Sequence, residues 1–501
     1  MSQRPTSFNR RWILAGLLAG AADAALAAPP TRSLRPAPRP GGAGARLYPS
    51  AELLVERSRL GDAKVAFAVA DAETGEFLET MNPFLPQPPA STAKAITALY
   101  ALDSLGADHR FSTRVVGTGP VEDGLLKGDL VLVGSGDPTL DTNRLATLAA
   151  NLKAAGVHSV EGKFLTWDGA LPIVHAIDAD QPVQVGYNPA ISGLNLNFNR
   201  VHFEWRRAGS GWNTTMDARS DKYRPDVTVS RMSIVKRRYP IYTYEDGGEV
   251  DRWTVASGAL GGDGARWLPV RKPTAYTAEV FQILARSHGI DLDAAGSAPE
   301  KPDGTVLAEV ESTELRSMVK AMLKYSTNIT AEAVGLASSA ARAGGVPEPL
   351  PISAGRMSAW LGARVDSSRV ALLDHSGLGG ASRITAPDMT RAMVRLGPAA
   401  GLEPLLKPFY IRDSQGRSDR NHPVKVNAKT GTLNFVNALT GYINPPGGRK
   451  LAFAIFISDV PRRDALTVAQ RERPEGGRTF ANRARRLQSR LIERWSEVHA
   501  A

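Results

Sequence analysis

The sequence predicts an α+β fold in which an antiparallel sheet is flanked by helices and interrupted by a β-rich insertion. Alternating apolar and polar residues on both sides of "DAETG" (residues 71–75) predict a hairpin just before a helix that begins near Ser91. Short alternating stretches broken by Gly, Asn and Asp fill residues 111–272. Near the C-terminus, "VKVNAKTGTL", "NALTGYIN" and "KLAFAIFIS" predict three successive strands. Both ends of the chain therefore contribute to one domain around an insertion.

The predicted segments follow one another in a simple order. Residues 1–27 have a basic start, a short apolar stretch and a small-residue cleavage sequence, which predicts an export signal. Residues 28–46 are rich in Pro, Gly and Arg and predict a flexible tether. We expect the main domain to occupy residues 47–110 and 273–501, and the β-rich unit to occupy residues 111–272.

Apolar residues at helical spacing predict an amphipathic helix inside the insertion and a second, basic one at the C-terminus. The residues concerned are Leu145, Leu148 and Leu152 in the first helix and Leu487, Leu491 and Trp495 in the second. Gly156 is expected to end the first helix. Each helix should therefore bury one face against a neighbouring sheet.

The leader predicts export to the periplasm. Arg10 and Arg11 precede its apolar stretch, which leaves both the twin-arginine route and the ordinary secretory route open. The sequence contains no cysteine, so disulfides, thiol catalysis and cysteine-based zinc sites are excluded. An exported chain without disulfides must be stabilised by its core, which a protein of 501 residues can provide.

The charge balance is basic. The formal net charge is +11, and removing the three arginines and one aspartate of residues 1–27 leaves +9. This excess is compatible with peripheral association with an anionic polymer or membrane surface, and equally with a solvated basic surface. Aromatic residues make up 7% of the chain and no dense basic tract occurs, so nucleic-acid binding is not predicted.

Ser91 and Lys94 stand three positions apart in "STAK" at the start of the first main-domain helix. This spacing places both side chains on one helix face, where the helix N-terminus supplies backbone N–H groups and a positive partial charge. A serine hydroxyl becomes a good nucleophile when a base removes its proton, and a lysine can be that base when burial or a nearby cation lowers its pKa. The alternative at this point is a lysine that extends from a core helix without a catalytic role.

Two further motifs carry similar chemistry. "KYSTNITAE" offers the hydroxyl of Ser326 and the amide of Asn328 where one predicted helix ends and another begins. "AKTGT" offers Lys429 at the end of a predicted strand, followed by Gly431, which we expect to let a substrate backbone approach closely. Each motif alone also has a structural explanation as a capping group or a strand-end turn. All three in this order, each in its local setting, indicate an active site.

In this order the motifs resemble S-x-x-K, S-x-N and K-T-G, the signature of the serine penicillin-recognising enzymes. The chain is similar to the branch of D-alanyl-D-alanine carboxypeptidase/endopeptidases of the penicillin-binding protein 4 type, peptidase family S13. Members of this branch carry extra domains between the first two motifs, which here lie at positions 91 and 326. Three further segments of the chain also resemble segments of this branch: "GDLVLVGSGDPTL", "YNPAISGLNLNFN" and "DHSGLGGASRIT". The resemblance implies a penicillin-recognising (β-lactamase/transpeptidase-like) fold for the main domain.

The resemblance also implies a role for each residue of the motifs, and it implies no metal or organic cofactor. It makes Ser91 the acylated nucleophile, Lys94 its general base, Ser326 and Asn328 the wall that relays protons and holds the substrate amide, and Lys429 and Thr430 the groups that bind the terminal carboxylate. The backbone N–H groups of Ser91 and Thr432 would form the oxyanion hole. Relatives present an acidic residue of the insertion to the amine of the peptide's third-position diamino acid, which implies Asp180, or alternatively Asp178, in substrate binding.

The chain departs from the family pattern at several positions. Thr327 stands where many relatives have Asp, and Tyr325 stands where a lysine is common. His375 occupies a position that is often Gly. Because the family mechanism requires no histidine, we expect His375 to have a structural role in its loop. These departures leave substrate preference open.

The resemblance implies a serine D,D-carboxypeptidase and D,D-endopeptidase that cleaves D-alanyl peptide bonds in peptidoglycan stem peptides and is acylated by β-lactam antibiotics. One alternative is a β-lactamase or esterase on the same scaffold, which would need fast deacylation. Another is a non-catalytic cell-wall-binding protein, which would be expected to have degraded motifs. The balance of the two peptidase activities, the diamino acid, the oligomeric state and the role of the insertion stay open.

Overall fold

The computed structural model describes residues 48–413 and 415–499. The predicted export signal (1–27) and tether (28–46) lie outside the described residues. Within the described part of the chain, no helix is both long enough and apolar enough to cross a membrane.

A six-stranded antiparallel sheet is built from both ends of the chain. In spatial order its strands are Lys407–Pro408, Lys425–Leu433, Val436–Asn444, Leu451–Ser458, Lys64–Asp71 and Phe77–Met81. The fourth and fifth of these strands pair with Lys64 opposite Ser458 and join the N-terminal hairpin to the three predicted C-terminal strands. The predicted α+β fold with an antiparallel sheet flanked by helices is thereby confirmed.

Both faces of this sheet are covered, as the strand Leu451–Ser458 illustrates. All eight of its residues are buried. Because strand side chains alternate between faces, Ala452, Ala454 and Phe456 join one hydrophobic cluster, while Leu451, Phe453, Ile455 and Ile457 join another. The helices packed in the first cluster are Ala93–Leu105, Leu315–Tyr325, Asn328–Arg342, Leu350–Val365 and Ala386–Arg395. Those in the second are Ala51–Arg57 and Gly477–Val498, whose Leu487, Leu491 and Trp495 are buried as predicted.

The remaining helical segments of the main domain are short. They are the α-helical segments Gly397–Ala400, Val460–Asp464 and Val468–Arg471 and the 3-10 turns Ala90–Thr92 and Glu403–Leu405. The turn Ala90–Thr92 leads directly into the helix Ala93–Leu105, which from here on is called the Ser91 helix.

The insertion contains four small sheets. The largest has the strands Gly296–Ser297, Phe164–Trp167, Leu130–Gly134, Ser112–Gly117 and Thr305–Glu311 in spatial order. One three-stranded sheet comprises Gly211–Asp217, Arg200–Ala208 and Gly264–Pro269. Another comprises Ser230–Val235, Asp251–Ala256 and Tyr242–Asp246. The fourth comprises Val121–Glu122, Leu125–Leu126 and Ser159–Val160, and the 3-10 turns are Asn197–Asn199 and Ser257–Ala259. The helix Thr142–Ala154 buries Leu145, Leu148 and Leu152 as predicted, so the insertion is β-rich with an interior helix.

The structure corrects the predicted end of the insertion at residue 272. The next helix, Pro273–Ser287, belongs to the hydrophobic cluster of the insertion, where the Phe281 ring lies 5.8 Å from the ring of Phe164. Further along, Thr305–Glu311 pairs antiparallel with Ser112–Gly117. The inserted unit therefore extends to about residue 311 because the apolar face of the helix packs on the insertion's own strands and not on the six-stranded sheet.

Candidate active site

Ser91 and Lys94 lie side by side at the start of the Ser91 helix. Ser91 belongs to the 3-10 turn Ala90–Thr92, and Lys94 is the second residue of the α-helix that follows. Lys94 Nζ is 2.9 Å from Ser91 Oγ. The predicted placement of both side chains on one face is what the structure shows, at hydrogen-bonding distance.

The amine of Lys94 is fully buried and has two further partners. Its Nζ lies 2.7 Å from Asn328 Oδ1 and 2.7 Å from the backbone oxygen of Ser376. Burial lowers the pKa of Lys94 from 10.5 to about 8, so roughly a tenth of the amine is neutral at pH 7. A neutral amine has two N–H bonds and one lone pair. With Asn328 and Ser376 accepting the two N–H bonds, the lone pair is left for the hydroxyl proton of Ser91.

Glu332 is a buried acid close to this amine that sequence analysis missed. Its carboxylate accepts the backbone N–H groups of His375 and Ser376, each at 2.9 Å, and so holds the loop whose carbonyl binds Lys94. Burial raises the pKa of Glu332 to about 8, and its charge in turn raises the pKa of Lys94. A sequence signal existed, because Glu332 is a single acid in the apolar helix run "ITAEAVGL", one turn after Asn328.

Asp374 is a second buried acid and belongs to the loop that Glu332 holds. Its two carboxylate oxygens accept the backbone N–H groups of Gly377 and Gly379, at 2.5 and 2.6 Å. Burial raises its pKa, while its charge raises the pKa of Lys94. The loop 374–379 is thus fixed by two carboxylates from its inner side.

Ser326 and Lys429 form the opposite wall of the site. Ser326 caps the helix Leu315–Tyr325 in a left-handed conformation, with φ 60° and ψ 37°, at the predicted junction between two helices. Lys429 Nζ lies 3.0 Å from Ser326 Oγ and 2.7 Å from the backbone oxygen of Thr430. Lys429 is buried, and burial together with the charge of Lys94 lowers its pKa well below the usual value. The three predicted motifs therefore meet at one place.

Gly431 is packed closely against the turn that carries Ser91. A Cβ at this position would lie 2.8 Å from Pro89 O and 3.0 Å from Ser91 N. The glycine thus lets the strand Lys425–Leu433 lie directly against the turn that carries Ser91. Thr432, the next residue, is exposed and faces the same opening as Ser91.

His375 has the surroundings of a structural residue. Its ring is fully buried, which lowers its pKa to about 3, and its Nε2 lies 2.8 Å from Ser353 Oγ. The helix Asn328–Arg342 passes so close that a Cβ on Gly335 would lie 2.2 Å from His375 Cγ. The neutral ring therefore packs the loop 374–379 against this helix.

We expect Gly335→Ala to lower the free energy of unfolding by about 1–3 kcal/mol, because the new methyl group overlaps a buried ring that cannot move away. The matched control is Gly355→Ala in the helix Leu350–Val365. A Cβ at Gly355 would have no neighbour within 4 Å, so helix propensity should make this variant about 1 kcal/mol more stable. Urea denaturation followed by circular dichroism measures both. Equal changes in the two variants would contradict the close packing at His375.

A cavity of about 650 Å³ opens above Ser91. Ser326, Asn328 and Thr432 line it, and Tyr187 of the insertion closes one side by accepting the Asn328 Nδ2–H at 2.8 Å through its backbone oxygen. Its charged lining residues are Arg463, Arg471, Glu472, Arg473 and Arg478. The cavity is therefore basic and fits an anionic ligand. In the described part of the chain, no group of three or more His, Asp or Glu side chains is arranged to hold a metal ion.

The structure does not bring Asp180 into this cavity. The side chain of Asp180 is 77% exposed, and its carboxylate pairs with Arg471 at 3.6 Å. Asp178 accepts a hydrogen bond from Gln181 Nε2 at 2.7 Å and lines a separate cavity of the insertion. Gln181 and Arg471, and neither acid, belong to the lining of the cavity above Ser91. Asp180 is therefore not placed to contact a ligand in this cavity. It pairs instead with Arg471, which lines the cavity.

Comparisons with known proteins agree on one family. The family model described as the D-Ala-D-Ala carboxypeptidase 3 (S13) family matches residues 50–473. The chain is 29% identical over 485 residues to the D-alanyl-D-alanine carboxypeptidase of Actinomadura sp. (strain R39), a match covering 87% of this chain and 88% of the relative. It is 25% identical over 418 residues to the D-alanyl-D-alanine carboxypeptidase DacB of Haemophilus influenzae, covering 76% of this chain and 82% of the relative.

A solved structure shares the fold. The crystal structure of penicillin binding protein 4 (dacB) from Haemophilus influenzae matches with a TM-score of 0.71 and 19% sequence identity, covering 89% of this chain and 99% of that chain. The same protein in complex with a β-lactam matches with a TM-score of 0.70. The agreement extends over the insertion as well as the six-stranded sheet, because almost the whole of that chain is matched.

Proposed function

Because the chain belongs to the D-Ala-D-Ala carboxypeptidase 3 (S13) family, we propose that it is a serine D,D-peptidase that cleaves D-alanyl peptide bonds of peptidoglycan stem peptides through an acyl-enzyme on Ser91. One observation carries the proposal: Lys94 Nζ lies 2.9 Å from Ser91 Oγ and is buried. The names of two relatives, both D-alanyl-D-alanine carboxypeptidases, support the substrate class.

In the proposed acylation, Ser91 Oγ attacks the carbonyl carbon of the D-alanyl bond while its proton passes to Lys94 Nζ. The backbone N–H groups of Ser91 and Thr432 stabilise the negative charge on the carbonyl oxygen. When the C–N bond breaks, the leaving amine takes a proton from Lys94 through Ser326, and an ester to Ser91 remains. In deacylation a water attacks the ester carbon and gives up a proton to Lys94. Lys94 passes this proton to Ser91 Oγ as the ester C–O bond breaks, which releases the acyl part with a new carboxyl group and restores the Ser91 hydroxyl.

The electrostatics of the site support a substrate with a carboxylate on its leaving residue. Lys429 lies 3.0 Å from Ser326, and burial together with the charge of Lys94 lowers its pKa. An anion that binds beside Lys429 would favour its protonated form. A protonated Lys429 would in turn favour the neutral form of Lys94, the form that acts as base. Substrate binding and activation of Ser91 would therefore support one another.

The proposal includes both carboxypeptidase and endopeptidase action, a periplasmic location and acylation by β-lactams. The basic cavity above Ser91 is wide enough for a stem peptide with several carboxylates. The related protein of Haemophilus influenzae that was solved with a β-lactam supports the proposed inhibition. A β-lactam presents the same carbonyl and carboxylate as the D-alanyl substrate, so the same residues would receive it.

The experiment that tests the proposal is intact-protein mass spectrometry after incubation with benzylpenicillin, followed by peptide mapping. We expect one stable adduct per chain, of the mass of the drug, on the peptide that contains Ser91. A protein that is unmodified while the drug is consumed would indicate a β-lactamase instead. A protein that is unmodified while the drug stays intact would indicate a non-catalytic wall-binding protein.

A further inference from the structure

A second cavity, of about 360 Å³, adjoins the active-site cavity at Ser326. It shares Tyr187, Ser326 and Asn328 with the cavity above Ser91. The rest of its lining comes from both units of the protein: Gly186, Pro189, Phe198, Arg200, Trp267, Tyr325, Thr327 and Ile329. We call it the Arg200 cavity, because Arg200 is the one charged side chain among the described residues that line it.

Arg200 is a cation without a counter-ion among the described residues. Its guanidinium carbon lies 5.3 Å from the ring centres of both Phe198 and Trp267, so the cation contacts two aromatic rings. Its Nε is buried and has no hydrogen-bond partner, and no described carboxylate forms an ion pair with the guanidinium. A half-buried guanidinium whose Nε–H has no hydrogen-bond partner is suited to receive a carboxylate.

The three residues before Arg200 have an unfavourable backbone conformation. Asn197, Phe198 and Asn199 all have left-handed conformations, with φ of 52°, 57° and 50°. Asparagine tolerates this conformation, but for a bulky residue such as Phe198 it is rare and unfavourable. Buried hydrogen bonds stabilise the turn: Asn199 Oδ1 accepts the Leu196 N–H at 2.9 Å, and Asn199 Nδ2 donates to Ala190 O at 2.9 Å. Strain of this kind persists mainly where it positions functional side chains.

The Arg200 cavity adjoins the place where the leaving group of the substrate would bind. In the proposed mechanism Lys429 binds the carboxylate of the leaving residue, and its Nζ contacts Ser326 at 3.0 Å. The Arg200 cavity begins at Ser326 and lacks Ser91 and Thr432, which line only the other cavity. A leaving D-alanine ends at Lys429. A leaving group that is longer, such as the diamino acid of a second stem peptide in a cross-link, continues past Ser326.

We propose that the Arg200 cavity is the subsite for the leaving peptide of cross-linked peptidoglycan, in which Arg200 binds a second carboxylate of that peptide. This inference rests on the proposed function and specifies its endopeptidase substrate. Tyr325 and Thr327, the two positions at which the second motif departs from its relatives, both line this subsite. The departures thus lie on the wall that the leaving peptide would contact.

The test uses the full-length protein and two synthetic peptides with the same acyl part. One peptide ends in D-alanine, and the other ends in D-2-aminopimelic acid, which adds a second carboxylate at the distance a diamino acid would place it. We measure kcat/KM for each. In the Arg200→Gln variant the ratio of the dicarboxylate substrate to the D-alanine substrate should fall about 30-fold, the effect expected when one partner of a buried charge pair is removed. Arg200→Lys should restore part of the ratio.

One control and one further variant keep the test specific. Arg206→Gln changes an arginine of the same strand whose side chain is 73% exposed and pairs with Glu204, so the ratio should stay as in the wild type. Thr327→Asp adds an acid to the cavity at a helix N-cap, where Asp is well tolerated, and should lower the ratio by pairing with Arg200 and repelling the second carboxylate. Labelling by benzylpenicillin reports whether each variant is folded.

The possible results separate the two proposals. An unchanged ratio in Arg200→Gln and Thr327→Asp, in proteins that are labelled by benzylpenicillin and release D-alanine, would overturn the subsite and leave the proposed function standing. Equal losses for both substrates would assign Arg200 a structural role and also overturn the subsite. A wild-type protein that is not labelled and cleaves neither peptide would overturn the proposed function, and the subsite with it.

Discussion

Ser91→Ala is expected to abolish covalent labelling by benzylpenicillin and to reduce D-alanine release about 10,000-fold or more. The substitution removes the only atom that can form the ester, while Lys94 keeps its contacts with Asn328 and the Ser376 carbonyl. Intact mass after incubation with the drug measures the first effect, and release of D-alanine from a diacylated D-Ala-D-Ala peptide measures the second.

The matched control for this variant is Ser104→Ala, near the C-terminal end of the Ser91 helix. The Ser104 hydroxyl donates to Tyr100 O at 2.6 Å and lies away from the site, so its loss should leave labelling complete. An adduct that persists in Ser91→Ala would show that another residue is acylated and would overturn the assignment of the nucleophile.

Lys94→Ala is expected to slow acylation by benzylpenicillin about 1,000-fold, the usual contribution of a general base. The pH dependence of the acylation rate gives a second test of this role. Because only the neutral amine can accept the proton of Ser91, acylation of the wild-type protein should be slow below the pKa of Lys94, rise with pH through about 8, and level off above it. Glu332 loses its proton in the same range, and its new charge makes Lys94 harder to deprotonate, so the rise should be broader than a single titration. Lys94→Ala should lose this rise.

The control here is Lys324→Ala. Lys324 is an exposed lysine near the site whose ammonium lies over the ring of Tyr325 at 4.9 Å, and its removal should leave the rate and the pH profile as they are. A wild-type rate that does not change between pH 6 and pH 9, or a Lys94→Ala variant that keeps the rise, would contradict the role of Lys94 as base.

Local patterns were sufficient for the parts of this fold that depend on neighbouring residues. The strand Lys425–Leu433 and the helix Thr142–Ala154 carry alternations of period two and of helical spacing, so both could be predicted. The meeting of Ser91, Lys94, Asn328 and Lys429 could be predicted only through resemblance to a family. No local rule brings together residues 338 positions apart, the separation of Ser91 and Lys429.

Other features could not be predicted because they depend on distant contacts. The insertion continues to residue 311 because Thr305–Glu311 pairs with Ser112–Gly117. The local sequence of a strand does not indicate which other strand it pairs with. Asp180 was predicted to bind substrate, but its pairing with Arg471, almost 300 positions later, decides where its carboxylate lies. The contact of Arg200 with the Trp267 ring could not be predicted, because Trp267 belongs to another strand.

The pairing of Leu451–Ser458 with Lys64–Asp71 has a consequence for biosynthesis. A nascent chain that has been translated up to residue 420 already contains Ser91, Lys94 and Asn328, but it lacks the strand that carries Lys429 and the strand that joins the N-terminal hairpin to the sheet. The Ser91 helix then has no completed sheet to pack on, and Lys94 has no dry environment to lower its pKa. We therefore expect the chain to be inert toward peptides and β-lactams until the strand Leu451–Ser458 has been made, when about the last tenth of the chain is still to be translated.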